Sequence, residues 1–314
     1  MSSDSLIPSL FERILRREPR AIARAATLIE ARGAAGGQLV AELFRRTGRS
    51  PIIGITGPPG AGKSTLTDRL TKILRESGKT VGIIAVDPSS AYTHGAILGD
   101  RIRMQDHHDD PGVFIRSVAT RGHLGGVTAS TFDLALLLDA AGYDIVLIET
   151  VGVGQDEIEI ARLADVTVVV LVPGYGDDVQ TIKAGIMEIA DVFAINKADL
   201  PGAERLESEI RAMQGLAQAS AYDREPGAAL CRVIATTGDG VPELITTVNS
   251  VAKKRNNPQA QTAKWVTRLQ EMWCARMLEE IPGDEWKHLA EQVADRVEDP
   301  HTALERLRTR ILGS

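Results

Sequence analysis

Cysteine is scarce in this chain: Cys231 and Cys274 are the only two among 314 residues, and neither sits in a C-x-x-C pair. Histidine-rich tracts are missing as well. Two isolated thiols read as buried side chains, not as a disulfide or a metal cage, and they fit a reducing cytoplasm. No apolar run is long enough to cross a bilayer, and the polar N-terminus lacks the pattern of a secretory signal, so no membrane association is expected. A basic excess is also lacking. With 36 Lys and Arg against 42 Asp and Glu the formal charge is −6, which argues against a nucleic-acid surface. Internal repeats and low-complexity segments are absent. The remainder has the hydrophobic and charged balance of a soluble globular protein, long enough for one large α/β core with helical additions.

Three regions follow from the patterning. Residues 1–50 are rich in Arg and Ala, with apolar residues at helical spacing (Leu10, Ile14; Ile22, Ala25, Ala26, Ile29; Leu39, Leu43, Phe44). Pro19 and the glycines between 33 and 37 divide them into three short helices, an N-terminal extension expected to pack on the next region. Residues 51–255 alternate β-rich runs with helical segments. The strands are expected at Ile52–Thr56, Val81–Val86, Val113–Val118, Asp144–Glu149, Val166–Val172, Val192–Asn196 and Arg232–Ala235. Their near-continuous apolar character predicts burial on both faces, hence a mostly parallel sheet flanked by helices. Residues 256–314 return to helical spacing and hold all three tryptophans, Trp265, Trp273 and Trp286; Pro282-Gly283 and Pro300 break them into three helices. Such a tail is either an extra core layer or an arm that docks a second subunit, giving a homodimer.

The stretch Gly57-Pro58-Pro59-Gly60-Ala61-Gly62-Lys63-Ser64 fits the pattern G-x-x-x-x-G-K-[ST], placed after an apolar strand and before a helix with Leu66, Leu70, Ile73 and Leu74. Glycines let the backbone curl so that successive N–H groups face one anion, and the helix N-terminus adds its dipole. Lys63 brings a full charge to the β- and γ-phosphates, the Ser64 hydroxyl is a Mg²⁺ ligand, and Thr65 is a further phosphate contact. A nucleoside triphosphate and an α/β fold of the P-loop NTPase type are therefore expected.

Three further segments lie just past expected strands. Asn196-Lys197-Ala198-Asp199 puts a carboxylate where it can accept from guanine N1–H and the exocyclic amine, a match adenine lacks. Asn196 fixes this loop and reaches the base edge, the Lys197 stem lies on the ring, and Ala235-Thr236-Thr237 offers backbone N–H to the guanine oxygen. Asp144 to Gly152 is an apolar run ending in Glu149, the place of a magnesium-holding acid, with Gly152 as the switch glycine that senses the γ-phosphate. Val153 follows that glycine, and Gln155 comes two residues later. Asp87 follows another strand and Asp100 lies in Gly99-Asp100-Arg101; two more carboxylates beside a triphosphate make sense only with Mg²⁺. Their irregular surroundings suit a switch segment.

Together Val86-Asp87-Pro88-Ser89-Ser90, Leu98-Gly99-Asp100, Glu149-Thr150-Val151-Gly152-Val153-Gly154-Gln155 and Asn196-Lys197-Ala198-Asp199 resemble the methylmalonyl-CoA mutase-associated GTPases, the MeaB/ArgK group of the SIMIBI class. The likeness spans roughly Arg20 to Val251, and the tail is similar in character to that family's dimerisation arm. The resemblance implies a GTPase that hydrolyses GTP to GDP and gates cofactor loading and protection of an adenosylcobalamin-dependent acyl-CoA mutase. It also implies that Ser64, Asp87, Asp100 and Glu149 surround the metal. The stretch 176–183, which ends on Lys183, resembles that family's additional switch, expected to relay the nucleotide state to the partner. Tyr92-Thr93-His94-Gly95 departs from the glycine-rich turn usual in the family's first switch. Two other classes stay open: a GTP-dependent metallochaperone, weakened by the missing ligand tracts, and an ATP-dependent small-molecule kinase, for which no phospho-acceptor site is visible. His107-His108-Asp109-Asp110 is a poor metal cage, because adjacent helical residues do not share a face. The glycine-rich loop 120–126 reads as facing a partner.

Overall fold

The computed structural model describes residues 3–87, 107, 109–119, 126–150, 156–174, 188–220 and 227–312. Contacts divide the chain into two units, Met1–Gln261 and Thr262–Ser314.

The first unit opens with α1 (Ser3–Leu15), α2 (Pro19–Glu30) and α3 (Ala34–Phe44). Pro19 stands at the first turn of α2, where its missing N–H costs nothing. Ile22, Ala25, Ala26 and Ile29 form the buried stripe of that helix. Crossing α2 at close range, α3 has Gly36 at the contact; a Cβ there would lie 2.5 Å from the Leu28 carbonyl oxygen. Strands β1 (Ile52–Thr56), β2 (Val81–Asp87), β3 (Val113–Ala119), β4 (Ile145–Thr150), β5 (Val166–Leu171), β6 (Val192–Ile195) and β7 (Ala229–Arg232) form one sheet in the order β3-β2-β4-β1-β5-β6-β7. Every pairing is parallel. Between the strands run α4 (Lys63–Glu76), α5 (Gly126–Ala140), α6 (Asp156–Leu163) and α7 (Ala203–Ser220), and α8 (Val241–Arg255) follows β7. Both α2 and α3 pack on α5. The Arg116 guanidinium of β3 donates Nε to Glu30 Oε1 of α2 at 2.7 Å and Nη2 to Oε2 at 2.5 Å, pinning the extension to the sheet edge.

The central strands β1, β4, β5 and β6 are buried along their whole length, as the apolar runs predicted. The last strand differs. Expected at Arg232–Ala235, it ends at Arg232, and β7 occupies the half-exposed Ala229–Arg232. Val233 and Ala235 are buried beneath α8, so their apolar signal is real but belongs to a loop leaving the sheet edge.

One device recurs at the starting ends of the strands. The residue just before β4, β5 and β6 is in each case an aspartate, and its Oδ2 accepts a backbone N–H from the beginning of the adjoining strand. Asp144 takes Thr80 N–H, Asp165 takes Ile52 N–H and Asp191 takes Thr167 N–H, each at 2.8 Å. Carboxylates thus satisfy rim donors that the slanted parallel ladder leaves over. The Thr80 N–H holds the Asp144 carboxyl below its usual range. Burial pushes Asp191 up, opposed by the Thr167 N–H and by Arg255, which is ion-paired to it.

The second unit contains most of α9 (Pro258–Glu279), with α10 (Gly283–Ala294) and α11 (Pro300–Leu312). Ile281, Leu289, Ala303 and Leu307 make a small core of its own. Along α9, Val266, Leu269, Met272 and Trp273 are exposed. Both cysteines were expected to be buried; Cys231 is half-buried, but Cys274 is exposed on this same helix. Apolar spacing fixes a helix face without fixing what covers it. No helix among the described residues is long and apolar enough to cross a membrane.

Candidate functional site

The loop between β1 and α4 is shaped by glycines in backbone conformations that side chains resist. Gly57, Gly60 and Gly62 have φ of 137°, 77° and 84°. A Cβ on Gly57 would come within 2.2 Å of the Val170 carbonyl oxygen of β5, so the loop starts hard against the sheet. Gly62 precedes α4 without a side-chain cap, and the positive end of the helix dipole faces the loop, an arrangement that suits an anion. Lys63 is buried within the loop, its Nζ donating to the Gly57 and Pro58 carbonyls at 2.8 and 2.9 Å. The ammonium is therefore held beside the helix end.

Across from this loop stands the end of β4. Pairing of Ile55 with Glu149 brings the acid to the top of the neighbouring strand. The Ser64 hydroxyl donates to Glu149 Oε1 at 2.5 Å, and one strand position further, Thr150 and Thr56 join their hydroxyls at 3.0 Å. Pro59, Gly60, Gly62, Lys63, Ser64, Thr65, Ala85, Val86, Glu149, Thr150 and Lys197 line one cavity of about 430 Å³. Two hard oxygen ligands in contact beside a lysine at a helix N-terminus suit a divalent cation shared with phosphate oxygens.

The loop after β6 is fastened to the same structure. Asn196 is only 2% exposed. Its Nδ2 donates to the Ala61 carbonyl at 2.9 Å, while its Oδ1 accepts Ala235 N–H at 3.0 Å. One side chain thus ties the phosphate loop to Ala235-Thr236-Thr237. Gly62 makes room for it, since a Cβ there would meet Nδ2 at 2.5 Å. Lys197 adopts φ of 54° and reaches back to the Gly60 carbonyl at 3.2 Å. Asp199 is exposed just beyond it.

The residues predicted from sequence thus fall into groups. Pro59, Gly60, Gly62, Lys63, Ser64, Thr65, Glu149 and Lys197 meet at the cavity. Gly57, Pro58, Ala61 and Asn196 form the layer behind it, and Asn196 draws in Ala235. Asp87 ends β2, but its side chain lies outside the described residues, as do Asp100, Gly152, Gln155, Lys183, His94 and the loop 120–125. Sequence reasoning missed Arg69, a half-buried residue of α4. It donates Nε to the Ala235 carbonyl at 3.1 Å and Nη2 to the Thr236 carbonyl. It also missed Thr56 and the Asp68–His107 contact of 3.1 Å. None of these belongs to a local pattern.

Residues 22–286 match the family profile described as "Methylmalonyl Co-A mutase-associated GTPase MeaB". A Pyrococcus horikoshii protein named as a candidate GTPase is 42% identical over 313 residues, covering 98% of this chain and 99% of that one. The Escherichia coli protein named GTPase ArgK is 43% identical over 203 residues, 63% of this chain and 61% of its own. A Mus musculus protein named methylmalonic aciduria type A homolog, mitochondrial, is 42% identical over 200 residues, 62% of this chain and 48% of its own. Among solved structures, one titled as a LAO/AO transport system kinase superposes with a TM-score of 0.73 at 27% identity, covering 99% of both chains.

Proposed function

The chain belongs to the MeaB family of methylmalonyl-CoA mutase-associated GTPases, and from that premise we propose a magnesium-dependent, dimeric GTP switch that serves an adenosylcobalamin-dependent acyl-CoA mutase. The P-loop GTPase activity and guanine-nucleotide binding come with the family. The metal, the partner and the dimer are the proposal. The observation that carries it is the junction of Ser64 and Glu149 at 2.5 Å on the wall of a cavity that Lys63 and Lys197 also line.

Ser64 and Glu149, with Asp87 and Asp100 as the expected further carboxylates, would hold Mg²⁺, which when bound offsets charge on the β- and γ-phosphate oxygens. The chain's own groups do the rest. Lys63 moves its ammonium from the loop carbonyls to the phosphate oxygens, and the N–H groups at the start of α4 orient the chain of phosphates. Asp199 accepts the N1–H and amine of guanine, with Ala235-Thr236-Thr237 facing its O6. Gln155 orients the water that attacks the γ-phosphorus in line as the bond to GDP breaks. Lys183 and the segment 176–183 transmit the change to the mutase. The exposed apolar positions of α9 support pairing of two copies through the arm.

The test is phosphate release from GTP and ATP by the whole chain. GTP is expected to be the substrate, and Lys63→Ala to abolish turnover with an unchanged circular dichroism spectrum; retained turnover would remove the phosphate-loop argument. Capture of a purified cobalamin-dependent mutase is expected to differ between GDP and a non-hydrolysable GTP analogue. Equal capture in both states would remove the switch role while leaving the GTPase intact.

A further inference from the structure

The segment Ile234–Asp239 is a closed turn. Ile234 N–H bonds the Asp239 carbonyl at 2.9 Å, Gly238 N–H bonds the Ile234 carbonyl at 2.8 Å, and Thr237 Oγ1 bonds Asp239 Oδ2 at 2.7 Å. Its interior donors and acceptors have a definite distribution. Ala235 N–H goes to Asn196, while the carbonyls of Ala235 and Thr236 both go to the Arg69 guanidinium. Arg69 also lies along Gly238, whose Cβ, if present, would be 3.3 Å from Arg69 Cδ. Both donors of this fork are thus spent on two successive peptide units.

In a trans peptide the carbonyl of one residue and the N–H of the next point in opposite directions. The described residues contain no cis bond. Drawing the Ala235 and Thr236 carbonyls onto Arg69 therefore turns the N–H groups of Thr236 and Thr237 to the side away from α4. Both residues are exposed, and among the described residues neither N–H meets a protein acceptor. Two adjacent donors held outward suit a carbonyl oxygen and oppose an amine.

We propose that Arg69 is a positioning residue for base selection: its fork on the Ala235 and Thr236 carbonyls aims the Thr236 and Thr237 amides at the 6-oxo group of guanine. Adenine presents an amine at that position, donor facing donor. The inference rests on the guanine reading given above and deepens it by naming the group that sets the geometry of the base loop. Arg69 is separated by 166 residues from Ala235.

The experiment measures binding of GDP, IDP and 2-aminopurine riboside diphosphate by the whole chain and by Arg69→Ala. IDP keeps the 6-oxo group and lacks the 2-amine; the 2-aminopurine nucleotide keeps the amine and lacks the oxygen. Loss of the fork is expected to weaken GDP and IDP about tenfold or more, from the usual contribution of charge-assisted hydrogen bonds. Binding of the 2-aminopurine nucleotide is expected to stay within about twofold. Arg69→Lys, which keeps the charge without the fork, is expected to fall between, and it carries the test if the alanine variant does not fold. Equal weakening of all three nucleotides would make Arg69 a general support of the fold and overturn the proposal. So would unchanged binding of all three. A wild-type chain that binds ADP as tightly as GDP would instead overturn the guanine reading itself, whatever Arg69 does.

Discussion

Replacing Asn196 by alanine removes a buried side chain that joins the phosphate loop to the base loop. Two bonds go with it, from Nδ2 to the Ala61 carbonyl and from Ala235 N–H to Oδ1. Ala61 and Ala235 are 0% and 3% exposed, so neither orphaned group finds bulk water without local opening. A buried polar group left unsatisfied costs about 1–3 kcal/mol, which puts the pair at about 2–6 kcal/mol. About 3 kcal/mol is a large part of the usual 5–15 kcal/mol of a folded domain. The assay is urea unfolding of the nucleotide-free chain, read as a shift of midpoint at constant slope. Asn196→Asp is the companion variant. It keeps an acceptor for Ala235 N–H but sets a carboxylate oxygen against the Ala61 carbonyl, and it should be no more stable than the alanine form. A loss under about 1 kcal/mol for the alanine form would refute the reasoning, since a single exposed hydrogen bond accounts for that much.

Other perturbations have equally definite outcomes. Gly57→Ala meets both a φ of 137° and a 2.2 Å approach of its Cβ to the Val170 carbonyl oxygen, a backbone atom that cannot swing aside. It should cost roughly 2 kcal/mol or more and abolish binding of a fluorescent GDP analogue; normal binding would mean that the loop does not start against β5. Asp199→Asn should move base preference from guanine toward xanthine, because an amide can donate where the carboxylate only accepts; an unchanged ranking of GDP and XDP by competition would remove Asp199 from base reading. Asp110 is held below the ordinary carboxylate range by its hydrogen bonds with Arg75, against the opposing effect of desolvation. The stability it brings is complete above its ordinary value of 3.8 and drains as pH falls through the lower native value. Asp110→Asn should therefore be less stable at neutral pH and lose less on acidification below that point; parallel urea midpoints of both chains down to pH 2.5 would contradict this.

The central strands and the phosphate loop were legible because each is written in neighbouring residues: apolar runs of five or six, then glycines and a lysine at fixed spacing. Glu149 was legible as an acid closing such a run. What escaped was written between distant residues. Arg69 is an ordinary polar position of an amphipathic helix, and nothing near it in sequence announces Ala235. Asn196 was expected to fix its loop and to reach the base edge; the partners by which it holds the loop, the Ala61 carbonyl and Ala235 N–H, are invisible to local pattern. The misplaced last strand had a different cause. Val233 and Ala235 are as apolar as strand residues and as deeply buried, but at a sheet edge the ladder stops before the packing does. Cys274 shows the same limit on a helix, where periodicity names a face and leaves its surroundings open.

The aspartates at the strand starts reach further than the rim they occupy. Neighbouring parallel strands slide by whole residues, and a slip of one would swing Glu149 through the sheet to the opposite side. Asp144, about 16 Å below it at strand rise, fastens β4 to the start of β2, and Asp165 does the same between β5 and β1. Whether the acid meets Ser64 is thus decided at the opposite end of the strands, as the pitch of a string is set at the peg and not under the bow.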